Sequence, residues 1–255
     1  MNSPLYELCN YNILGRILYY VPYYSPVHPG RVITTFGVIS FVIEVLNGNG
    51  ASYSANQSLT KSQQDLGHNL LKAALLLQVV VIGCFLLLAG VFHYRCRKAG
   101  INNQNLAAAL YTLYASTALI SVRTIYRIVE YWSLQYLHFG PDFDPMTLGP
   151  LVRYEWFFYV FEASLMICNQ VLLNVRHPRK YLPKSTKTYL ARDGVTEITG
   201  PGLKDGRNFF ITILDPFDVW GLIKGRDKEK SFWETHEAGA VKTGAPRNRE
   251  DPESA

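Results

Sequence analysis

Residues Ala73–Tyr94 read AALLLQVVVIGCFLLLAGVFHY, and Gln78 is the only strongly polar side chain among them. A helix that crosses the hydrocarbon of a bilayer needs about 20 mostly apolar residues, because lipid offers no partner to an exposed peptide group. A surface helix of a soluble domain would instead show a polar face recurring every three or four positions. This stretch therefore predicts a transmembrane α-helix and sets the class of the chain, an all-α polytopic helical bundle.

Working outward, four further apolar stretches complete a set of about five spans. Leu106–Tyr131 is apolar in its first half and then carries Arg123, Arg127 and Glu130. Tyr154–Val175 (YEWFFYVFEASLMICNQVLLNV) opens on aromatics, as a span entering through the interface does. Val32–Leu46 (VITTFGVISFVIEVL) is shorter, and on length alone it also fits a half-inserted or core helix. Tyr6–Tyr23 (YELCNYNILGRILYYVPY) is the weakest, with Arg16 in its middle and Pro22 near its end. The tyrosines at 19, 20, 23 and 24 fit an interface belt better than a binding cage. The start of the chain lacks the basic n-region and unbroken apolar core of a cleavable signal peptide.

Charge placement gives a topology. Arg95, Arg97 and Lys98 follow the Ala73–Tyr94 span, and Arg176, Arg179, Lys180, Lys184 and Lys187 follow Val175, so both ends are expected in the cytoplasm. Between them, His138–Leu151 holds Asp142 and Asp144 with no lysine or arginine, and is expected outside. Counting back, Asn47–Leu71 is an outer loop and carries the sequon Asn56-Gln57-Ser58, on the side that glycosylation requires. The N-terminus is then outside and the C-terminus cytoplasmic. Residues 1–183 form the transmembrane bundle. Residues 184–255 form a cytoplasmic tail, charged and poor in apolar groups over 225–255. Within it, 208–223 (NFFITILDPFDVWGLI) is apolar but interrupted by Asp215-Pro216 and Asp218, which suits the inner interface rather than a span.

Bulk composition hides this order. A hydrophobic share of 48% in 255 residues would suit a soluble domain, but here the apolar residues come in blocks with charge between them. A net charge of +5 is modest for a nucleic-acid binder, and the basic residues flank apolar spans, so the expected partner is the bilayer and not nucleic acid. The four cysteines form neither a CxxC pair nor a metal-like cluster, and Cys84 and Cys168 lie inside apolar runs. The six histidines sit at span ends or in loops. No GxSxG, HExxH, P-loop or GxGxxG is present, and no lysine lies mid-span to hold a retinal-type Schiff base. Neither an enzyme nor a cofactor or metal is expected. Homo-oligomerisation is left open.

Charged groups at membrane depth are expensive unless paired, which makes them functional candidates. Arg123, Arg127 and Glu130 fall at i, i+4, i+7 on one helical stripe. Glu155 and Glu162 are seven apart, and an α-helical register puts Tyr159 on the same face. Ser40, Glu44 and Asn47 repeat the pattern on the second span. Antiparallel spans would bring Arg127 and Glu130 near the depth of Glu155, with Glu162 deeper. A polar cleft for a lipid head group is one reading of these faces. Interhelical ion pairs that fix register are another, and snorkelling into the head-group layer is a third. Gln78 and Asn169 are expected to make plain interhelical hydrogen bonds.

On these residues the chain resembles the fungal RTA-like family of seven-span membrane proteins, the lipid-translocating exporters. The matching segments are Tyr11–Val32, Ile39–Gly50, Val122–Tyr131 (VRTIYRIVEY), Tyr154–Met166 (YEWFFYVFEASLM) and Asn174–Pro183 (NVRHPRKYLP). The pattern R-x-x-Y/F-R-x-x-E at Arg123–Glu130 and E-x-x-x-Y-x-F-E at Glu155–Glu162 are the most specific. Relatives carry glutamine where this chain has Glu44, and two further spans before the L-G-R segment. The resemblance thus implies an N-terminally truncated five-span chain or an alternative gene model, with parity and topology kept. It also implies plasma-membrane translocation of amphiphilic lipids such as sphingoid bases or amino-sterols, in a stress or drug-resistance setting. The site expected for that task is formed by the Arg123/Arg127/Glu130 and Glu155/Glu162 faces. A lipid-sensing receptor that signals through its tail, and an inactive truncated product, are the alternatives.

Overall fold

The computed structural model describes residues 3–56, 58–135, 154–183, 185–191 and 194–200. Five helices dominate it: α1 (Ser3–Tyr20), α2 (Pro29–Ala55), α3 (Lys61–Lys98), α4 (Gln104–Gln135) and α5 (Trp156–Val175). The last four are long and apolar enough to cross a membrane. Many large apolar side chains on them point outward, among them Phe41, Val80, Leu87, Ile125 and Ile167. An apolar exterior of this kind is what lipid requires and water would not tolerate over so wide an area. The chain is an α-helical polytopic membrane bundle.

α1, the weakest of the expected spans by composition and not among these four, packs in the middle of the bundle. It packs on both α2 and α4, and Leu14, Ile17 and Leu18 are fully buried. Its hydropathy is low because its polar groups bond inside the protein rather than facing lipid, so hydropathy understates its burial. α5 lies at the edge. It packs on α4 and leaves most of its apolar surface outward.

The helix ends follow their local sequence. Pro29 opens α2 at a position where its missing N–H is no loss, and the His28 ring accepts from Gly30 N at 3.3 Å. Thr60 and Gln63 form a capping box at the start of α3. Asn103 Oδ1 accepts from the backbone N–H groups of Asn105 and Leu106 and so caps α4. Gly100, at φ +77°, supplies the left-handed turn that ends α3.

Two expectations change. The outer loop expected over Asn47–Leu71 is mostly helix, since α2 runs on to Ala55 and α3 starts at Lys61. The extensions are held together by Gly50 and Gly67, where the backbones approach so closely that a Cβ on Gly67 would lie 2.7 Å from Ser54 N. Second, part of the expected tail belongs to the fold. β1 (Thr188–Leu190) pairs antiparallel with β2 (Glu197–Thr199), and Tyr189 and Leu190 are buried. Tyr20 donates to Glu197 Oε1 at 2.9 Å, and Asn103 Nδ2 donates to the Gly194 carbonyl at 3.2 Å. The hairpin therefore ties the end of α1 to the α3–α4 connection. The apolar segment 208–223 and the acidic loop with Asp142 and Asp144 lie outside the described residues.

Candidate functional site

The functional candidates meet between α4 and α5. Arg123 Nη2 donates to Glu162 Oε1 at 2.6 Å, and both side chains are almost fully buried, at 8% and 13% exposure. One turn further along α4, Arg127 Nη1 lies 3.6 Å from Glu162 Oε2 and 3.5 Å from Glu130 Oε2. Arg127 is the open member, with 43% of its side chain exposed. The i, i+4, i+7 stripe read from the sequence therefore forms, and it is completed by one residue of α5. Two guanidinium groups face two carboxylates, so the cluster is neutral as a whole and can sit at membrane depth. Tyr126 stacks on Phe161 at 5.4 Å between ring centres, closing one side with aromatic surface.

Glu155 and Tyr159 are not part of this cluster. Both are exposed, Tyr159 by 59%, while Glu162 faces α4. The physical reason is a π-helical turn over Tyr159–Ser164 inside α5. Each residue advances less around the axis there than in an α-helix, so the i, i+4, i+7 spacing from Glu155 to Glu162 does not describe one face. The depth match also changes. Arg127 reaches Glu162 rather than Glu155.

The other candidates lie elsewhere in the bundle. Ser40 and Gln78 enter a buried network around Glu7 on α1. Gln78 Nε2 donates to Glu7 Oε1 at 2.6 Å, Ser40 Oγ to Glu7 Oε2 at 3.4 Å, and Tyr11 and Ser40 share a hydrogen bond at 2.9 Å. Asn10, one turn further, accepts from Ser116 Oγ at 2.9 Å and donates to Thr117 Oγ1 at 3.4 Å. Gln78 thus makes the expected interhelical bond. Glu7 and Asn10 were not singled out from the sequence, because in a weak span their polarity counts against the span rather than for a site. Glu44 and Asn47 are half-buried further along α2. Asn169 is completely buried, but neither atom of its amide has a hydrogen-bond partner among the described residues, in place of the bond expected of it. Arg16 Nη2 donates to the Pro183 carbonyl at 2.8 Å. Asn56 is exposed between α2 and α3, and its Oδ1 accepts from Ser58 N at 3.0 Å and Ser58 Oγ at 2.7 Å.

A bundle of helices with apolar exteriors and a neutral, partly open cluster of four charges between two of them defines a polytopic membrane protein with an ion-paired contact between two of its helices. The chain belongs to the RTA1-like protein family, whose model, described as "RTA1 like protein", matches residues 2–185 and so takes in all five helices. It is 43% identical over 242 residues to a lipid-translocating exporter-like protein RTA1 of Leptosphaeria maculans, covering 93% of this chain and 46% of that one. A protein of the same description from Ajellomyces capsulatus is 30% identical over 241 residues, covering 89% and 71%. A probable lipid transporter, atnI, of Emericella nidulans is 24% identical over 192 residues, covering 68% and 46%. The chain thus spans about half the length of the first of these relatives. No solved structure matches it.

Proposed function

We propose that this chain takes part in translocating amphiphilic lipids with a cationic head, of the sphingoid-base or amino-sterol kind, across a fungal plasma membrane, and so in resistance to lipid or drug stress. It works as a carrier rather than an enzyme, with the N-terminus outside and the C-terminus in the cytoplasm. The observation that carries the reading is Arg127, shared at 3.5 and 3.6 Å between Glu130 and Glu162 and open on its other side. The names of the relatives, lipid-translocating exporter-like protein and probable lipid transporter, support the substrate class.

The chemistry follows from the unequal bonds. Arg123–Glu162 is short and buried, and it holds the carboxylate in place. Arg127–Glu162 is longer and partly wet, so it is the exchangeable contact. An arriving ammonium replaces Arg127 at Glu162 Oε2, and Arg127 keeps Glu130. Both carboxylates stay paired at every stage, and the one positive charge that the head adds is carried beside Arg127, the part of the cluster open to solvent. The apolar chain of the lipid lies along the outward surface of α5, where Tyr159 and Val160 are exposed.

The test is efflux of a labelled sphingoid base from intact cells that express the chain. Efflux above background, lost in Glu162→Gln and reduced in Arg127→Ala at equal surface expression, is the expected result. Unchanged efflux in both variants would end this reading. Truncation after residue 200 keeps the hairpin and should leave efflux intact, whereas a receptor signalling through its tail would lose its output.

A further inference from the structure

Among the described residues α5 buries one side chain completely, and that side chain is polar. Asn169 has no exposed surface, whereas the apolar residues of the helix face outward or are half-buried. Neither Nδ2 nor Oδ1 of its amide has a hydrogen-bond partner. Burying an amide is unfavourable unless it is hydrogen-bonded, so close packing alone would be better served by leucine.

The ion pair sets where this amide lies. Asn169 follows Glu162 by seven residues on the inner face of α5, two turns or about 10 Å nearer the C-terminal end. Half-buried Leu165 and Met166 fill the face between them. Arg123 meets Glu162 and Tyr126 meets Phe161, so α4 and α5 run in opposite senses, and this register carries Asn169 toward the level of Ser116. Ser116 Oγ donates to Asn10, which brings α1 to the same level. Beside Asn169 a cavity of about 440 Å³ opens between α1 and α5, lined by Tyr6 and Cys9 on one side and by Gln170 and Leu173 on the other. Gln170 is the next residue along, and Leu173 is one turn further. Arg16 and His177 line the same cavity toward the C-terminal ends of the two helices, and the site argued here uses neither.

We propose that Asn169 and the adjoining cavity form a second station for the head of the amphiphile, reached from Glu162 along the α4–α5 seam while the apolar chain stays in lipid. This rests on the carrier reading above. The amide offers two donors and a carbonyl oxygen, so it accepts from an ammonium and donates to a hydroxyl of the same head. When the head leaves Glu162, Arg127 closes back on Oε2 and the cluster is again neutral. Asn169 is neutral as well. It lowers the cost of an ammonium at depth without holding it as a carboxylate would, and a station on a path must release what it binds. The head reaches Asn169 as α5 parts from α4, and α5 gives up little burial in doing so.

The test maps where the head group goes. The purified chain in detergent is irradiated with a sphingosine that carries a diazirine beside its head, and adducts are located by peptide mass mapping. Two clusters are expected in the parent chain, one around Glu162 and one around Asn169 and Leu173. Excess octadecylamine should suppress both, and octadecanol neither. Asn169→Leu is similar in volume and removes an unpartnered amide, so it folds. It should lower the inner cluster about ten-fold, the loss of one hydrogen bond to a charged group, while the outer cluster remains. Adducts around Glu162 alone would overturn the second station and leave the carrier reading standing. An inner cluster unaltered in Asn169→Leu would overturn the role of the amide. Equal suppression by octadecanol, or no adduct within the bundle, would overturn the carrier reading and the station with it.

Discussion

Arg123 and Glu162 form a 2.6 Å ion pair between α4 and α5 with both side chains almost out of reach of solvent. Along α5, most of the helix faces outward, so this pair, the Tyr126–Phe161 stack and the Tyr6–Gln170 hydrogen bond to α1 are among the specific contacts that seat it on the bundle. Glu162 is thus asked both to anchor a peripheral helix and to offer its second oxygen to Arg127.

The anchoring role predicts a strong, non-additive energetic effect. Removing one member of a buried pair strands the other charge, so Arg123→Gln or Glu162→Gln alone should destabilise the fold by about 3 kcal/mol. The double variant should lose less than the sum of the two, because no stranded charge remains. Unfolding in mixed detergent micelles across the four proteins checks this. Strict additivity would mean that the pair carries no coupling.

The glycines make a separate test of packing. In the Gly67→Ala variant the added methyl group meets Ser54 N, Tyr53 Cβ and Gly50 O within 2.9 Å, and most of that is backbone that cannot give way. The α2–α3 extensions must then part, at a loss of about 1–3 kcal/mol. Gly83→Ala, where nothing lies within 4 Å, should be neutral or gain up to about 1 kcal/mol from helix propensity. Thermal unfolding of the two variants beside the parent gives the comparison.

How far the sequence carried these points depends on the kind of signal. The long apolar runs placed α2 to α5, because length and hydropathy are the quantities that lipid selects. The stripe Arg123, Arg127, Glu130 was legible because α4 is a regular helix there. The α5 half of the site was legible only in part. Glu162 was named, but the π turn over Tyr159–Ser164 is a backbone choice that side-chain spacing does not encode, and it removed Glu155 and Tyr159 from the shared face. Glu7 and Asn10 went unread for the opposite reason. Their burial comes from partners on other helices, Gln78, Ser40, Ser116 and Thr117, which no local pattern reveals.

The loop between α2 and α3 offers a test of topology. Asn56 is exposed there, and Ser58 Oγ donates to its amide oxygen at 2.7 Å. If this loop faces the lumen during synthesis, the chain expressed in a fungal cell should carry one N-linked glycan. Asn56→Gln should abolish the mobility shift produced by peptide N-glycosidase. An unglycosylated parent chain would favour the inverted topology, with the basic ends outside.

The π turn itself yields the last prediction. Ser164 Oγ donates to the Tyr159 carbonyl at 2.8 Å, a bond between residues five apart that matches π rather than α geometry. Ser164 is exposed, so its replacement by alanine leaves the α4–α5 packing untouched while removing that support. The alanine variant should shift α5 toward regular α-helix, turning Glu162 away from Arg123 and bringing it toward the face of Glu155 and Tyr159. The measurable consequence is a smaller coupling energy between Arg123 and Glu162 when the double-variant cycle is repeated in the Ser164→Ala background. Global stability should fall by only about 1 kcal/mol, the worth of one hydrogen bond. A coupling energy equal to that of the parent would mean that Glu162 is positioned by its ion pair alone and that the turn follows from it.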